Sequence, residues 1–211
     1  MTMVVNAQQL TSVRAGRTLF ADLDVQVEAG GVLHVQGPNG AGKSTLLRII
    51  AGLLQPLQGQ VELFGEPADV DREQWQRRLL FIGHKPGVKS ELTALENLEL
   101  QAGFDGVVID DPWQLAETVG LLGLEDISAQ QLSAGQQRRI ALARLWFSPA
   151  PLWILDEPFT ALDQPGIELL QQRFAEHTGH GGTLILTSHQ PLSWQPPQLQ
   201  QLIIRSPEAH D

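Results

Sequence analysis

A chain of 211 residues with 42% hydrophobic and 18% charged content has material for one substantial core or two small lobes, and is not composed like a disordered protein. The formal net charge of −10 argues against nucleic acid and against direct adhesion to anionic lipid, but not against a nucleotide held by local donors. The lack of cysteine excludes disulfides, thiolate chemistry and covalent haem attachment, no apolar run approaches the roughly 20 residues of a membrane helix, and residues 1–5 lack the basic and apolar regions of a secretory signal.

Residues 3–12 contain a first strand, and residues 23–27 alternate apolar and polar side chains as a half-buried strand does. Ala29-Gly30-Gly31 turns the chain into a short apolar strand, Val32–Gln36, and residues 46–51 read as a helix. Residues 60–64 are predicted as a strand that Gly65-Glu66-Pro67 turns, so an antiparallel sheet is expected beside the core. Residues 71–78 read as a short exposed helix and Leu79–Ile82 as a core strand. Thr93-Ala94-Leu95-Glu96 opens a helix with a capping box, each side chain satisfying the other's backbone N–H, and residues 112–122 give another helix. A helical lobe is therefore expected over about 90–128, with the core lobe formed by about 1–89 and 129–211. Ser133 and Gln136 make a second capping box. Leu152–Leu155 and Thr183–Thr187 read as buried strands, residues 166–177 as a helix, and residues 202–204 as a last strand.

Between the strand at Val32–Gln36 and the helix that follows lies Gly37-Pro38-Asn39-Gly40-Ala41-Gly42-Lys43-Ser44-Thr45, which fits the phosphate-loop pattern G-x-x-x-x-G-K-[ST] at every specified position. The strand–loop–helix context separates it from a chance string. Its glycines permit a backbone that turns successive N–H groups onto a phosphate chain, and the helix adds its positive end. Lys43 can reach the β and γ phosphates, and the Ser44 hydroxyl can ligate Mg²⁺. Leu155-Asp156-Glu157 is the second informative stretch. An acid at the C-terminal end of a core parallel strand stands where α/β sheets bind ligands. Asp156 is placed to hold Mg²⁺ through water, and Glu157 to orient or deprotonate an attacking water.

With these two sites, Leu132-Ser133-Ala134-Gly135-Gln136 resembles the signature motif of the ATP-binding cassette (ABC) ATPases, usually Leu-Ser-Gly-Gly-Gln. The motifs fall in the family's order over nearly the whole chain. The resemblance implies an α/β fold: an ABC-type P-loop ATPase with a RecA-like core, an N-terminal antiparallel β region and a helical lobe. It implies ATP and Mg²⁺ as ligands and hydrolysis to ADP and phosphate, with Lys43, Glu157 and His189 catalytic and Ala161-Leu162-Asp163 as the D-loop. Ser133, Gly135 and Gln136 would act on the ATP of a second copy in a head-to-tail sandwich. Three positions depart from the pattern. Ala134 replaces glycine but is small and leaves the backbone donors available. His84 stands where the family carries a glutamine that senses Mg²⁺ and the membrane partner, and a histidine can change charge near neutral pH. No aromatic near Val13 and Arg14 is present to stack on adenine, so Arg14 is the candidate, through its guanidinium plane.

A narrower resemblance points to the ATP-binding subunit of the cytochrome c maturation (haem exporter) system. It is carried by Arg17-Thr18-Leu19-Phe20, by Ile82-Gly83-His84-Lys85-Pro86-Gly87 with Leu92-Thr93-Ala94-Leu95-Glu96-Asn97-Leu98, and by Leu132-Ser133-Ala134-Gly135-Gln136-Gln137-Arg138-Arg139. It implies a peripheral subunit at the cytoplasmic face of a bacterial inner membrane, not itself inserted. Its partners would be integral membrane subunits of the same pathway, and its ATP hydrolysis would be linked to haem export or to release of a haem-loaded chaperone, with no haem site in this chain. Two readings share the same residues. The ATPase of another small ABC exporter differs only in its membrane partner. A soluble ABC protein acting as a mechanical switch usually carries two cassettes or a long coiled insert.

Overall fold

The computed structural model describes residues 2–67, 75, 77–196 and 198–205. The chain divides into two compact units, one of residues 1–81, 150–156 and 175–211, the other of residues 82–149 and 157–174.

The first unit opens with two long strands, β1 (Met3–Arg14) and β2 (Arg17–Glu28), paired antiparallel across the turn at Ala15-Gly16. β3 (Val32–Gln36) and α1 (Lys43–Ile50) follow, then β4 (Gln58–Leu63) and a two-residue β5 (Glu66–Pro67). The antiparallel sheet runs β2-β1-β4-β5. β6 (Leu79–Ile82), β7 (Leu152–Leu155), β8 (Thr183–Thr187) and β9 (Leu199–Ile203) complete a second sheet of order β6-β7-β8-β3-β9, in which the β7–β8, β8–β3 and β3–β9 pairs are parallel. Every residue of β7 and β8 is buried, which explains why their sequences run apolar without alternation. One core joins the antiparallel sheet (Val5, Leu10, Val27), α1 (Leu46, Leu47, Ile50) and the parallel sheet (Leu33, Val35, Ile154, Ile185). Each such buried aliphatic side chain contributes about 1.5–3 kcal/mol. α1 is thereby held rigidly at the end of β3.

The second unit contains α2 (Ala94–Phe104), α3 (Pro112–Thr118), a 3₁₀ turn at Ala129–Gln131, α4 (Ala134–Leu142), α5 (Arg144–Phe147) and the start of α6 (Gln164–Gly179). Its core is formed by Leu98, Ala116, Leu121, Ile140 and their neighbours. The capping box at Thr93 and Glu96 is present, with both reciprocal bonds made. Inside the same turn Asn97, 1% exposed, donates to the carbonyls of Lys89, Leu92 and Thr93 and accepts from the Lys89 N–H. That one amide holds residues 89–93 in place.

Some element bounds differ from expectation, and one expected helix lies mostly outside the described residues. The second strand starts at Arg17, well before residue 23. α3 ends at Thr118 rather than running to 122, because Gly120 turns left-handed (φ +73°) and closes the helix. Most of the helix expected over 71–78 lies outside the described residues, but Trp75 is buried against Gly52.

Candidate active site

In the first unit the phosphate loop leaves the C-terminal end of β3 and enters α1. Gly40 (φ +79°) and Gly42 (φ +106°) adopt left-handed backbone that a side chain would strain. Gly42 is the N-cap of α1. It supplies no side-chain cap, and the first turn carries no acid. The N–H groups of that turn have no acceptor within the helix and form its positive end. This donor set fits a phosphate chain. Lys43, 8% exposed, folds back over the loop, its Nζ donating to the carbonyls of Gly37 (2.7 Å) and Pro38 (3.2 Å). Ser44 is half-buried beside it.

The neighbouring strands β7 and β8 bring two more groups to the same edge of the sheet. Asp156 follows the last residue of β7 and is 2% exposed, and the hydroxyl of Thr187, at the end of β8, donates to its Oδ1 at 2.8 Å. An oriented carboxylate at the same end of the sheet as Ser44 suits a hard divalent cation, which takes oxygen ligands. His34, on β3 and 2% exposed, is held on both ring nitrogens. Its Nε2 lies 3.2 Å from the Ser188 carbonyl, to which it donates, and its Nδ1 lies 3.2 Å from the Gln36 side-chain amide. Exposed His189 follows directly. The phosphate loop, Asp156 and His189 therefore stand at the ends of three adjacent strands, in the order β7-β8-β3. Arg14 is exposed at the tip of the β1–β2 hairpin, opposite Arg17, while Leu19 and Phe20 of the same hairpin abut Gly42.

The second unit carries the remaining residues. Ser133 is the N-cap of α4, and its capping box with Gln136 is complete. Gln137 donates to the carbonyls of Ala129 and Leu132 and so fixes the turn that leads to Ser133. Ala134 is the first residue of a regular helix, where alanine is comfortable. Gly135 is different, because a Cβ there would lie 2.5 Å from the Ala161 carbonyl oxygen. Arg139 donates to the Val119 carbonyl and pairs with Asp163. Arg138 donates to the carbonyls of Gly83 (2.8 Å) and Glu157 (3.0 Å). His84 is exposed.

Residues 20–160 match the family model for ABC transporters. The chain belongs to the ABC transporter ATP-binding family. As an ABC ATPase it binds and hydrolyses ATP, and its parallel core sheet, N-terminal antiparallel sheet and helical part are those of an ABC cassette. The cytochrome c biogenesis ATP-binding export protein CcmA of Idiomarina loihiensis is 57% identical over 190 residues, 90% of this chain and 87% of that protein. The protein of the same name from Escherichia coli K12 is 47% identical over 206 residues, 98% of this chain and 99% of that one. Among solved structures, the dimeric ATP-binding cassette MJ0796 in a post-hydrolysis state bound to ADP and Pi superposes with a TM-score of 0.78 at 26% identity over 88% of each chain. The dimeric MJ0796 transporter cassette shares the fold at a TM-score of 0.81, 24% identity and 94% of each chain.

Three residues of this ABC ATPase were given no role from sequence: His34, Thr187 and Arg138. Each sits in an ordinary strand or helix context and takes its place only through a partner distant in the chain.

Proposed function

We propose that the chain is the ATP-hydrolysing subunit of a cytochrome c biogenesis exporter, working as a head-to-tail pair at the cytoplasmic face of a bacterial inner membrane and docked on integral membrane subunits of that pathway. No helix among the described residues is long and apolar enough to cross a membrane, which suits a docked rather than an inserted subunit. The observation that carries the reading is the phosphate loop on an uncapped helix at the same end of the parallel sheet as a buried, hydroxyl-held Asp156, in a chain whose relatives bear the cytochrome c biogenesis export name.

The roles follow from chemistry. The N–H groups from Gly37 to Thr45 cradle the nucleotide's phosphates, and Lys43 exchanges the Gly37 and Pro38 carbonyls for phosphate oxygens. Ser44 would ligate Mg²⁺ and Asp156 would hold it through water, with His84 in the sensing position. Bound there, the ion supplies neutralisation of the charge on the transferred phosphoryl group. Glu157 orients a water for in-line attack on the γ-phosphorus and takes its proton as the bond to ADP breaks. His189 donates to the γ-phosphate. Ser133, Gly135, Gln136 and the start of α4 from the second copy close the open side with another anion-binding helix end. Arg14 lies against the adenine. The segment over about 90–128 is the helical lobe of this reading.

The test is ATP turnover by the complete complex, with wild-type chain and with Glu157→Gln. Turnover should fall on the order of 10²–10⁴-fold while ATP binding is spared. Unchanged turnover would remove Glu157 from the mechanism, and co-purification with membrane subunits of a different exporter would redirect the transport role.

A further inference from the structure

Arg138 lies one turn into α4, beyond the helix end that carries Ser133. It is 4% exposed, so its charge is nearly removed from water. A buried guanidinium is costly unless its donors are met by oriented acceptors. Here two of its nitrogens reach different segments: Nη1 donates to the carbonyl of Gly83, the residue before His84, and Nη2 donates to the carbonyl of Glu157. The planar fork of arginine sets both directions at once, which a lysine ammonium cannot do.

The second observation concerns Glu157 itself. Its φ is +50°, a left-handed conformation that few residues other than glycine adopt and that costs on the order of 1–2 kcal/mol. Relaxing it would rotate the peptide and swing the carboxylate off its line. A strained residue persists only where its surroundings over-determine it. The charged hydrogen bond to the Glu157 carbonyl is such a restraint, made by a side chain that also grips the peptide leading to His84.

We propose that Arg138 is a positioning residue for Glu157, holding its peptide in the strained conformation and tying it to the Gly83–His84 segment. The inference rests on the reading of Glu157 as the group that activates water. Displacement of Gly83 then reaches the Glu157 peptide through one guanidinium, without passing through the nucleotide.

The experiment uses the full chain with Arg138→Lys, and with Arg138→Gln as a second variant should the first fail to fold. Equilibrium ATP binding, single-turnover hydrolysis and the urea midpoint are measured, alone and combined with Glu157→Gln. Loss of a hydrogen bond to a charged group corresponds to about a 10- to 100-fold effect. The expected result is that loss in the hydrolysis rate, with ATP affinity within about twofold of wild type, and a double variant no slower than Glu157→Gln alone. A full hydrolysis rate in the Arg138 variants overturns the proposal. So does a parallel fall in rate, affinity and midpoint, which marks a merely structural side chain, and so does a loss that multiplies with that of Glu157→Gln. If Glu157→Gln alone leaves the rate unchanged, the reading of Glu157 fails, and the proposal with it, whatever the Arg138 variants do.

Discussion

Gly135→Ala is the sharpest perturbation the signature segment offers. The added Cβ would stand 2.5 Å from the Ala161 carbonyl oxygen. Carbon–oxygen contacts settle at about 3.3–3.6 Å, so roughly 0.8–1.1 Å of displacement is needed. The obstacle is backbone and cannot rotate aside. Either α4 moves, against its Arg138 bonds to Gly83 and Glu157, or Ala161 moves, already left-handed at φ +64°. Overpacking of this kind costs about 1–3 kcal/mol. The variant should lose that much stability in urea unfolding. Because the displaced helix start carries Ser133, ATP hydrolysis at saturating nucleotide should also fall by about tenfold or more. Ala134→Gly is the control. It restores the commoner glycine at an exposed first helical position, touches nothing near Ala161, and should cost at most about 1 kcal/mol. A Gly135→Ala protein with wild-type midpoint and rate would refute the idea that the Ala161 carbonyl fixes α4.

Asn97→Asp keeps the acceptor for the Lys89 N–H but turns a carboxylate towards the carbonyls of Lys89, Leu92 and Thr93. It should cost about 3 kcal/mol or more, read from the urea midpoint, and an unchanged midpoint would mean that the amide is dispensable. Thr187→Val removes the hydroxyl that orients Asp156 without changing the side chain's shape. The Mg²⁺ concentration for half-maximal hydrolysis should rise about tenfold, as for partners that orient metal ligands, and an unshifted Mg²⁺ titration would separate Thr187 from the metal.

The parts legible in the sequence were those written in consecutive residues. β3, β7 and β8 were recognisable as apolar runs because parallel strands are covered on both faces. Both capping boxes were legible because their partners lie three residues apart. β2 was only half visible. The β1–β2 register shifts between Ala7 and Leu10, and again on either side of Ser12, so the two-residue alternation breaks where the hairpin nears its turn. The phosphate loop and Leu155-Asp156-Glu157 could be read as strings. Their supports could not, because Arg138 reaches back 55 residues, Thr187 reaches back 31, and His34 meets Ser188 across 154.

His189 stands between two anchored neighbours. His34, on the strand that leads to the phosphate loop, holds the carbonyl of Ser188, and the Ser188 hydroxyl engages both the N–H and the carbonyl of Gln190. The backbone on either side is fixed to the sheet, so the imidazole is carried on a fixed post, its reach set by two side-chain torsions. The contact proposed between His189 and a bound phosphate then asks no movement of the backbone that carries the histidine. A substitution there should register in how firmly the nucleotide-bound state is held, with the sheet around it undisturbed.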